Sequence, residues 1–252
     1  LKGAADGRRR SQSIGPDRTP GHGLEGYFLG PSGLMDRADR VAIGKFISLE
    51  GGEGAGKSTH VRMLADALEA VGLDPVVTRE PGGAPSAEII RGLLVDGDVD
   101  RWQPMTEALL HYAARLEHVK NTIEPALAEG RWVITDRFAD SSVAYQGYGY
   151  DLGGAAIDRL HQMVFGDFQP DLTIILDVPV DQGLARAMRR QDGEDRYERM
   201  GIEFHERLRD GFLDIARRNS KRCTVIDATE DKDTVHKWIR TIVYNRLGVA
   251  LK

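Results

Sequence analysis

Apolar residues in this chain cluster into short runs, and the stretches between them carry apolar positions at helical spacing. Phe46-Ile47-Ser48-Leu49, Pro75-Val-Val-Thr78, Trp132-Val-Ile-Thr135, Leu172-Thr-Ile-Ile-Leu176 and Thr224-Val-Ile226 are mostly apolar or β-branched and too short for helices, so they read as strands. Helical periodicity fills His60 to Leu68, Ala87 to Val95, Pro104 to Leu116, a segment ending at Glu129-Gly130, and a last stretch from Thr234 that carries Trp238, Ile239 and Ile242. Pro104 suits a first helical position, and Gly72 suits the residue just past a helix end. Arg79-Glu80-Pro81-Gly82-Gly83 is an irregular turn, with a trans Glu80–Pro81 bond as the expectation. Apolar strands that alternate with helices predict an α/β fold, a five-stranded parallel sheet covered on both faces. Ligands of such sheets sit at the C-terminal strand ends, where Glu50, Asp136, Asp177 and Asp227 fall.

The first strand runs into Gly51-Gly52-Glu53-Gly54-Ala55-Gly56-Lys57-Ser58-Thr59 and then into the first helix. This is G-x-x-x-x-G-K-[ST] between a strand and a helix, the context that gives the pattern its meaning. Glycines let successive backbone N–H groups turn inward on one anion, and the helix N-terminus adds partial positive charge. Lys57 then reaches the β- and γ-phosphates, and the Ser58 hydroxyl takes a place on Mg²⁺. The segment binds phosphate, which leaves open what is done with it.

The bulk properties narrow the class. A chain of 252 residues with 41% hydrophobic and 29% charged residues has the balance of a globular protein with a real core. Net charge −5 argues against a nucleic-acid duplex as partner. The single cysteine, Cys223, sits in a strand as a buried thiol and suits a reducing compartment. With no apolar run of membrane-spanning length and no signal-peptide core, the expectation is a cytoplasmic enzyme. Residues 1–43 lack either period and are rich in Gly, Pro, Ser and Arg, so they read as a disordered N-terminal extension. Arg8-Arg9-Arg10 reads there as a solvated charge run, acidic residues argue against a transit peptide, and Met35 is a candidate native start. The phosphate-binding domain is expected over residues 44–252.

Two further constellations carry chemistry. Asp136-Arg137 directly follows the third strand; an acid there holds Mg²⁺ or its water shell, and the arginine bridges phosphates. The run from Arg186 through Arg189, Arg190 and Arg196 to Glu198 crosses a Gly/Asp-rich segment between two helices. That density of arginine suits a lid, at about residues 187–198, closing over a transferring phosphoryl group. Elsewhere the residues read more plainly. Tyr112 and Arg115 lie three apart on a helix, where Tyr is ordinarily core and Arg solvated. The stretch from Tyr145 to Tyr150 reads as a glycine-rich loop. His60, His111, His118, His161, His205 and His236 show no metal-ligand spacing and receive no role.

Taken in order, the loop from Gly51 to Ser58, Thr78-Arg-Glu-Pro-Gly-Gly83, Tyr112-Ala-Ala-Arg115, Asp136-Arg137, Ala144-Tyr-Gln-Gly147, Pro170-Asp-Leu-Thr173 and Asp195-Arg196 resemble bacterial thymidylate kinases. The resemblance spans residues 45–247. It implies a P-loop, nucleoside-monophosphate-kinase-like fold, generally homodimeric, that moves the ATP γ-phosphoryl to dTMP with Mg²⁺, giving dTDP and ADP. On the ATP side it sets the loop residues 51–59 and Arg186, with Lys57 catalytic and Ser58 and Asp136 at the metal. On the acceptor side Tyr112 stacks on thymine and Arg115 bonds the base edge. Ser142, Gln146 and Glu80 line the pocket, and Tyr145 crowds a ribose 2′-hydroxyl. Glu53 faces the sugar and phosphate, Glu198 closes over the same region, and Arg137 bridges the two phosphates. No arginine stands between Gly51 and Lys57, so the sequence resembles the subclass whose catalytic arginine comes from the lid, with Arg190 first and Arg189 next.

Two rivals remain. Another P-loop nucleotide or nucleoside kinase shares the loop. A GTPase switch would use Asp151-Leu-Gly-Gly154 as D-x-x-G, but no strand precedes it and no Asn-Lys-x-Asp segment occurs.

Overall fold

The computed structural model describes residues 44–189 and 196–251. The expected extension over residues 1–43, and Arg190 within the expected lid, lie outside them. Five strands form one sheet: β1 (Phe46–Glu50), β2 (Pro75–Arg79), β3 (Trp132–Asp136), β4 (Leu172–Asp177) and β5 (Cys223–Asp227). Their order is β2-β3-β1-β4-β5, and every pairing is parallel. Consecutive strands step to one side of β1 and then to the other, so the chain reverses direction across the sheet at the end of β1. That reversal opens the crevice where doubly wound sheets bind ligands.

Strand alternation sorts the core into two faces. Ile47, Leu49, Trp132, Ile134, Leu172, Ile174 and Leu176 point one way, as the period of two requires. There they pack on Val61, Leu64 and Leu68 of α1 (Lys57–Glu69) and on Val235, Ile239 and Val243 of the terminal helix. Phe46 and Val133 point the other way, onto Phe138, Val119 and Ile123. Ile175 and Cys223 join Tyr112, Tyr145 and Phe212 in a third cluster. Burial pushes the Cys223 thiol up to about 12, which leaves it unreactive at neutral pH.

After α1 the helices are α2 (Pro85–Val95), α3 (Pro104–His118), α4 (Glu124–Ala128), α5 (Ala139–Ser142), α6 (Gly154–Phe165), α7 (Val180–Ala187), α8 (Ile202–Arg218) and α9 (Lys232–Leu247). α3 passes into α4 through a π-helical turn, Val119–Ile123. α9 starts two residues before Thr234 because the Asp231 side chain accepts from the N–H groups of Asp233 and Thr234.

Two local expectations are corrected. The Glu80–Pro81 bond is cis, not trans; proline's tertiary amide narrows the trans preference enough for tertiary context to select. The stretch expected as a glycine-rich loop is a π-helical segment, Val143–Gly149, with Tyr145 only 5% exposed. Its neighbourhood uses glycine for close packing: a Cβ on Gly211 of α8 would come within 2.8 Å of the Tyr148 ring.

Candidate active site

The phosphate loop leaves β1 and enters α1 at Lys57. Gly54 has φ +67°, and a Cβ there would approach the Gly183 carbonyl oxygen to 1.9 Å. The loop therefore lies directly on α7 (Val180–Ala187). Lys57 is 7% exposed, and its ammonium donates to the carbonyls of Gly51 and Gly52 at 3.1 and 2.8 Å. Burial, with Arg137 nearby, lowers its pKa to about 8. Ser58 donates to an Asp136 carboxylate oxygen, which brings together the two hard oxygen donors expected at a metal.

Arg137 lies at the centre of the site. Its φ of 72° is a left-handed conformation in a non-glycine residue, which costs of order 1–3 kcal/mol. This backbone turns the side chain back toward the loop, where Nη1 donates to the Gly51 carbonyl at 3.0 Å and Nη2 meets Glu53 at 2.9 Å. The guanidinium lies over the Tyr145 ring at 4.9 Å, and the Tyr145 hydroxyl donates to the same Glu53 oxygen. Below it, Glu50 accepts from Phe138 N–H and the Ser141 hydroxyl, holding the turn after Arg137. Burial, with Asp140 nearby, raises the Glu50 pKa to about 7.

A cavity of about 310 Å³ opens from the loop toward α2 and α3, within the range of small-ligand sites. Glu53, Lys57, Ser58, Asp136 and Arg137 line its near end; Glu80, His111, Arg115, Ser142, Tyr145, Gln146, Tyr197 and Glu198 line the rest. Arg115 is 2% exposed and locked in place. Its Nε meets Glu80 at 2.6 Å, and Nη2 donates to the Phe138 carbonyl and the Ser142 hydroxyl. His118 takes the other Glu80 oxygen at 3.0 Å. Only Nη1 of this guanidinium has no partner. A buried donor without a partner is costly, and here the guanidinium lies over the Tyr112 ring at 4.7 Å and the Phe138 ring at 5.3 Å.

The cavity thus gathers most of the expected residues, with differences. Tyr112 does not line it. One helical position rotates a side chain by about 100°, and Tyr112 faces away, 3% exposed, against His161 and Phe165. His111, one turn before Arg115, takes that wall and bonds the Tyr197 hydroxyl at 2.9 Å. The i, i+4 spacing to Arg115 was the available signal for it. Glu80 lines the cavity, yet both its oxygens are committed to Arg115 and His118. Arg186 is outside the cavity, donating to the carbonyls of Ala228 and Thr229, while Arg189 is exposed just past α7. Asp151 follows the π-helical segment, not a strand. Among the described residues no group of three or more His, Cys, Asp or Glu could hold a metal, and no helix is long and apolar enough to cross a membrane.

The family model described as thymidylate kinase matches residues 49–239. A thymidylate kinase of Caulobacter vibrioides is 55% identical over 206 residues, covering 82% of this chain and 99% of that protein. One from Dinoroseobacter shibae is 53% identical over 192 residues, covering 76% and 92%. The chain belongs to the thymidylate kinase family. The crystal structure of thymidylate kinase from Ehrlichia chaffeensis superposes with a TM-score of 0.65 at 36% identity, over 79% of this chain and 98% of that one. The sheet, its flanking helices and the loop after β1 are therefore the P-loop, nucleoside-monophosphate-kinase-like fold of that family.

Proposed function

We propose that the protein transfers the γ-phosphoryl group of ATP to dTMP, giving ADP and dTDP. The observation that carries this reading is one cavity with a phosphate loop at its near end and a fixed arginine on its far wall. A nucleoside monophosphate fits that span with its phosphate at Arg137 and its base edge at Arg115. His111, instead of Tyr112, supplies the ring beside the base, and Tyr145 stands against the sugar. Lys57 exchanges its backbone carbonyls for the β- and γ-phosphates, and Arg137 bridges both phosphates as charge develops. Ser58 and Asp136 would hold Mg²⁺ together with nucleotide oxygens, where it would supply positive charge against the phosphates.

The remaining arginine charge comes from the lid. Arg196 is 1% exposed and bonded to the carbonyls of Leu94, Asp98 and Val99, which leaves Arg190 first and Arg189 second for the role. Arg190→Ala lowers kcat by about 10³ with little change in either KM; an unchanged kcat transfers the role to Arg189. A homodimer is supported by apolar side chains exposed along α2 and α3, among them Ile89 (74%), Leu109 (51%) and Met105 (44%). A cytoplasmic setting agrees with the single buried cysteine.

ADP release with Mg·ATP and dTMP, dUMP, dCMP, dGMP, UMP or thymidine tests the function. Turnover with dTMP and little with UMP or thymidine is expected. Preference for another acceptor would keep the phosphoryl-transfer site and overturn the pocket assignment.

A further inference from the structure

Every second residue of β1 faces away from the layer that holds Ile47 and Leu49. Ser48 and Glu50 share that face, and both are fully buried. Glu50 Oε1 accepts from the Phe138 N–H at 2.7 Å and from the Ser48 hydroxyl at 2.9 Å. Its Oε2 accepts from the Ser141 hydroxyl at 2.6 Å. The neighbouring Asp140 has Arg222 at 2.6 Å, whereas the groups that bond Glu50 are neutral. Burying a carboxyl group on neutral donors is costly, so its place at the end of β1 turns on what those donors do.

They hold Arg137. Its own N–H donates to the Leu49 carbonyl at 3.0 Å, its carbonyl accepts from the Thr135 hydroxyl at 2.8 Å, and the next N–H, that of Phe138, belongs to Glu50. The peptide groups on both sides of Arg137 are thus fixed, and with them its φ of 72°. The side chain closes the ring. Arg137 Nη1 donates to the carbonyl of Gly51, the residue after Glu50, and to the Ser141 hydroxyl that Glu50 holds. Residues 50 and 51 therefore grip Arg137 at its backbone and at its guanidinium. A Phe138 N–H released from Glu50 would free the turn to relax to the right-handed conformations that L-residues prefer, and would carry the guanidinium off the phosphate loop.

We infer that Glu50 is a positioning residue whose carboxyl oxygens hold the left-handed turn at Arg137 and so fix the guanidinium where phosphoryl transfer needs it. Glu50 does not line the cavity; it acts through the Phe138 N–H and Ser141. The inference rests on the bridging role proposed above for Arg137. Reach and charge can be separated. Glu50→Gln gives up the charge and keeps an oxygen for the Phe138 N–H, Glu50→Asp keeps the charge and retracts both oxygens, and Glu50→Met removes both acceptors at similar volume. Misplacement of a reacting group by about 1 Å costs on the order of 10² in rate. In Glu50→Met kcat therefore falls about 10²-fold and in Glu50→Asp about tenfold, while KM for ATP stays within about twofold and Glu50→Gln keeps kcat within about fivefold. A greater loss in Glu50→Gln than in Glu50→Asp would overturn the inference. The deciding measurement repeats the substitutions in Arg137→Ala, which alone lowers kcat about 10³-fold. There Glu50→Met lowers kcat by less than about twofold more, because the group it positions is gone. Equal falls with and without Arg137 would mean a merely structural role and would overturn the inference. Where Glu50→Met does not fold, Glu50→Asp carries the same comparison with the same two outcomes. Near-normal kcat in Arg137→Ala would sink the bridging role and this inference with it. A large loss there, with kcat unaffected in Glu50→Met, would sink the inference alone.

Discussion

The phosphate loop and the far wall of the cavity, the proposed donor and acceptor sides, meet at Arg137, yet they hold their charges in opposite ways. In the loop, Lys57 rests on two carbonyls of its own backbone, partners that a phosphate oxygen can replace at once. In the wall, Arg115 is bound to Glu80, Phe138 and Ser142, and Glu80 is bound in turn to His118. The loop can change partners; the wall cannot. A triphosphate must enter and leave on every turnover, so its cations need contacts that exchange easily. A base edge is discriminated best by a donor that is already aimed and has no alternative partner. Mutations in the two halves should therefore separate rate from stability.

The largest effect is expected in the loop. Lys57→Ala should lower kcat by about 10³ or more and leave KM for dTMP nearly unchanged. Its melting temperature should hold or rise, because a buried ammonium is removed; a large loss of stability would break the comparison. In the wall, Arg115→Met should cost about 3–5 kcal/mol of stability, since Glu80 is left buried without its cation, and should raise KM for dTMP. Adding Glu80→Gln should recover stability in thermal unfolding without recovering KM.

A smaller effect follows from the lowered pKa of Lys57, about 8 against an ordinary 10.5. In the free protein, between these two values, the unfolded chain binds more protons at this group, so its contribution to stability rises with pH. Bound triphosphate favours the ammonium and reverses the shift. Nucleotide affinity should therefore weaken above pH 8. Calorimetry at about pH 8.5 in buffers of different ionisation enthalpy should show uptake of roughly half a proton or more. Binding without uptake would mean that Lys57 does not meet the phosphates. The smallest effect is expected at His111, where burial and nearby arginines push the imidazole pKa down to about 3. His111→Phe removes the bond to Tyr197, worth about 1 kcal/mol, and should shift KM for dTMP a few-fold by the same amount at pH 6 and pH 8. A pH-dependent shift would mean that the imidazole takes up a proton in the site.

Strands and loop were legible in the sequence because their causes are local. A run such as Leu172-Thr-Ile-Ile-Leu176 has one way to bury itself, and a glycine-rich segment between strand and helix has one favoured use. Even the arginine in the left-handed turn was visible as chemistry, since Asp136-Arg137 follows β3 wherever the rest of the chain goes. The acceptor wall was not legible in the same way. It is assembled from the turn after β2, from α3, from a π-helical segment that reads as a loop, and from Tyr197 and Glu198. Tyr112 and His111 are neighbours on α3, and helical spacing allowed either to face the ligand; packing of Tyr112 against His161 and Phe165 turned it inward and left His111 on the cavity. Glu107 and Arg196 are 89 positions apart and meet fully buried, a pairing that neither residue's neighbours in the chain announce. Sequence alone determined the fold class, the phosphate loop and the family resemblance, because short-range pattern carries them. Which side chains line the cavity, and which buried charges pair behind it, was decided only where elements distant in the chain pack together and must satisfy each other's buried charges.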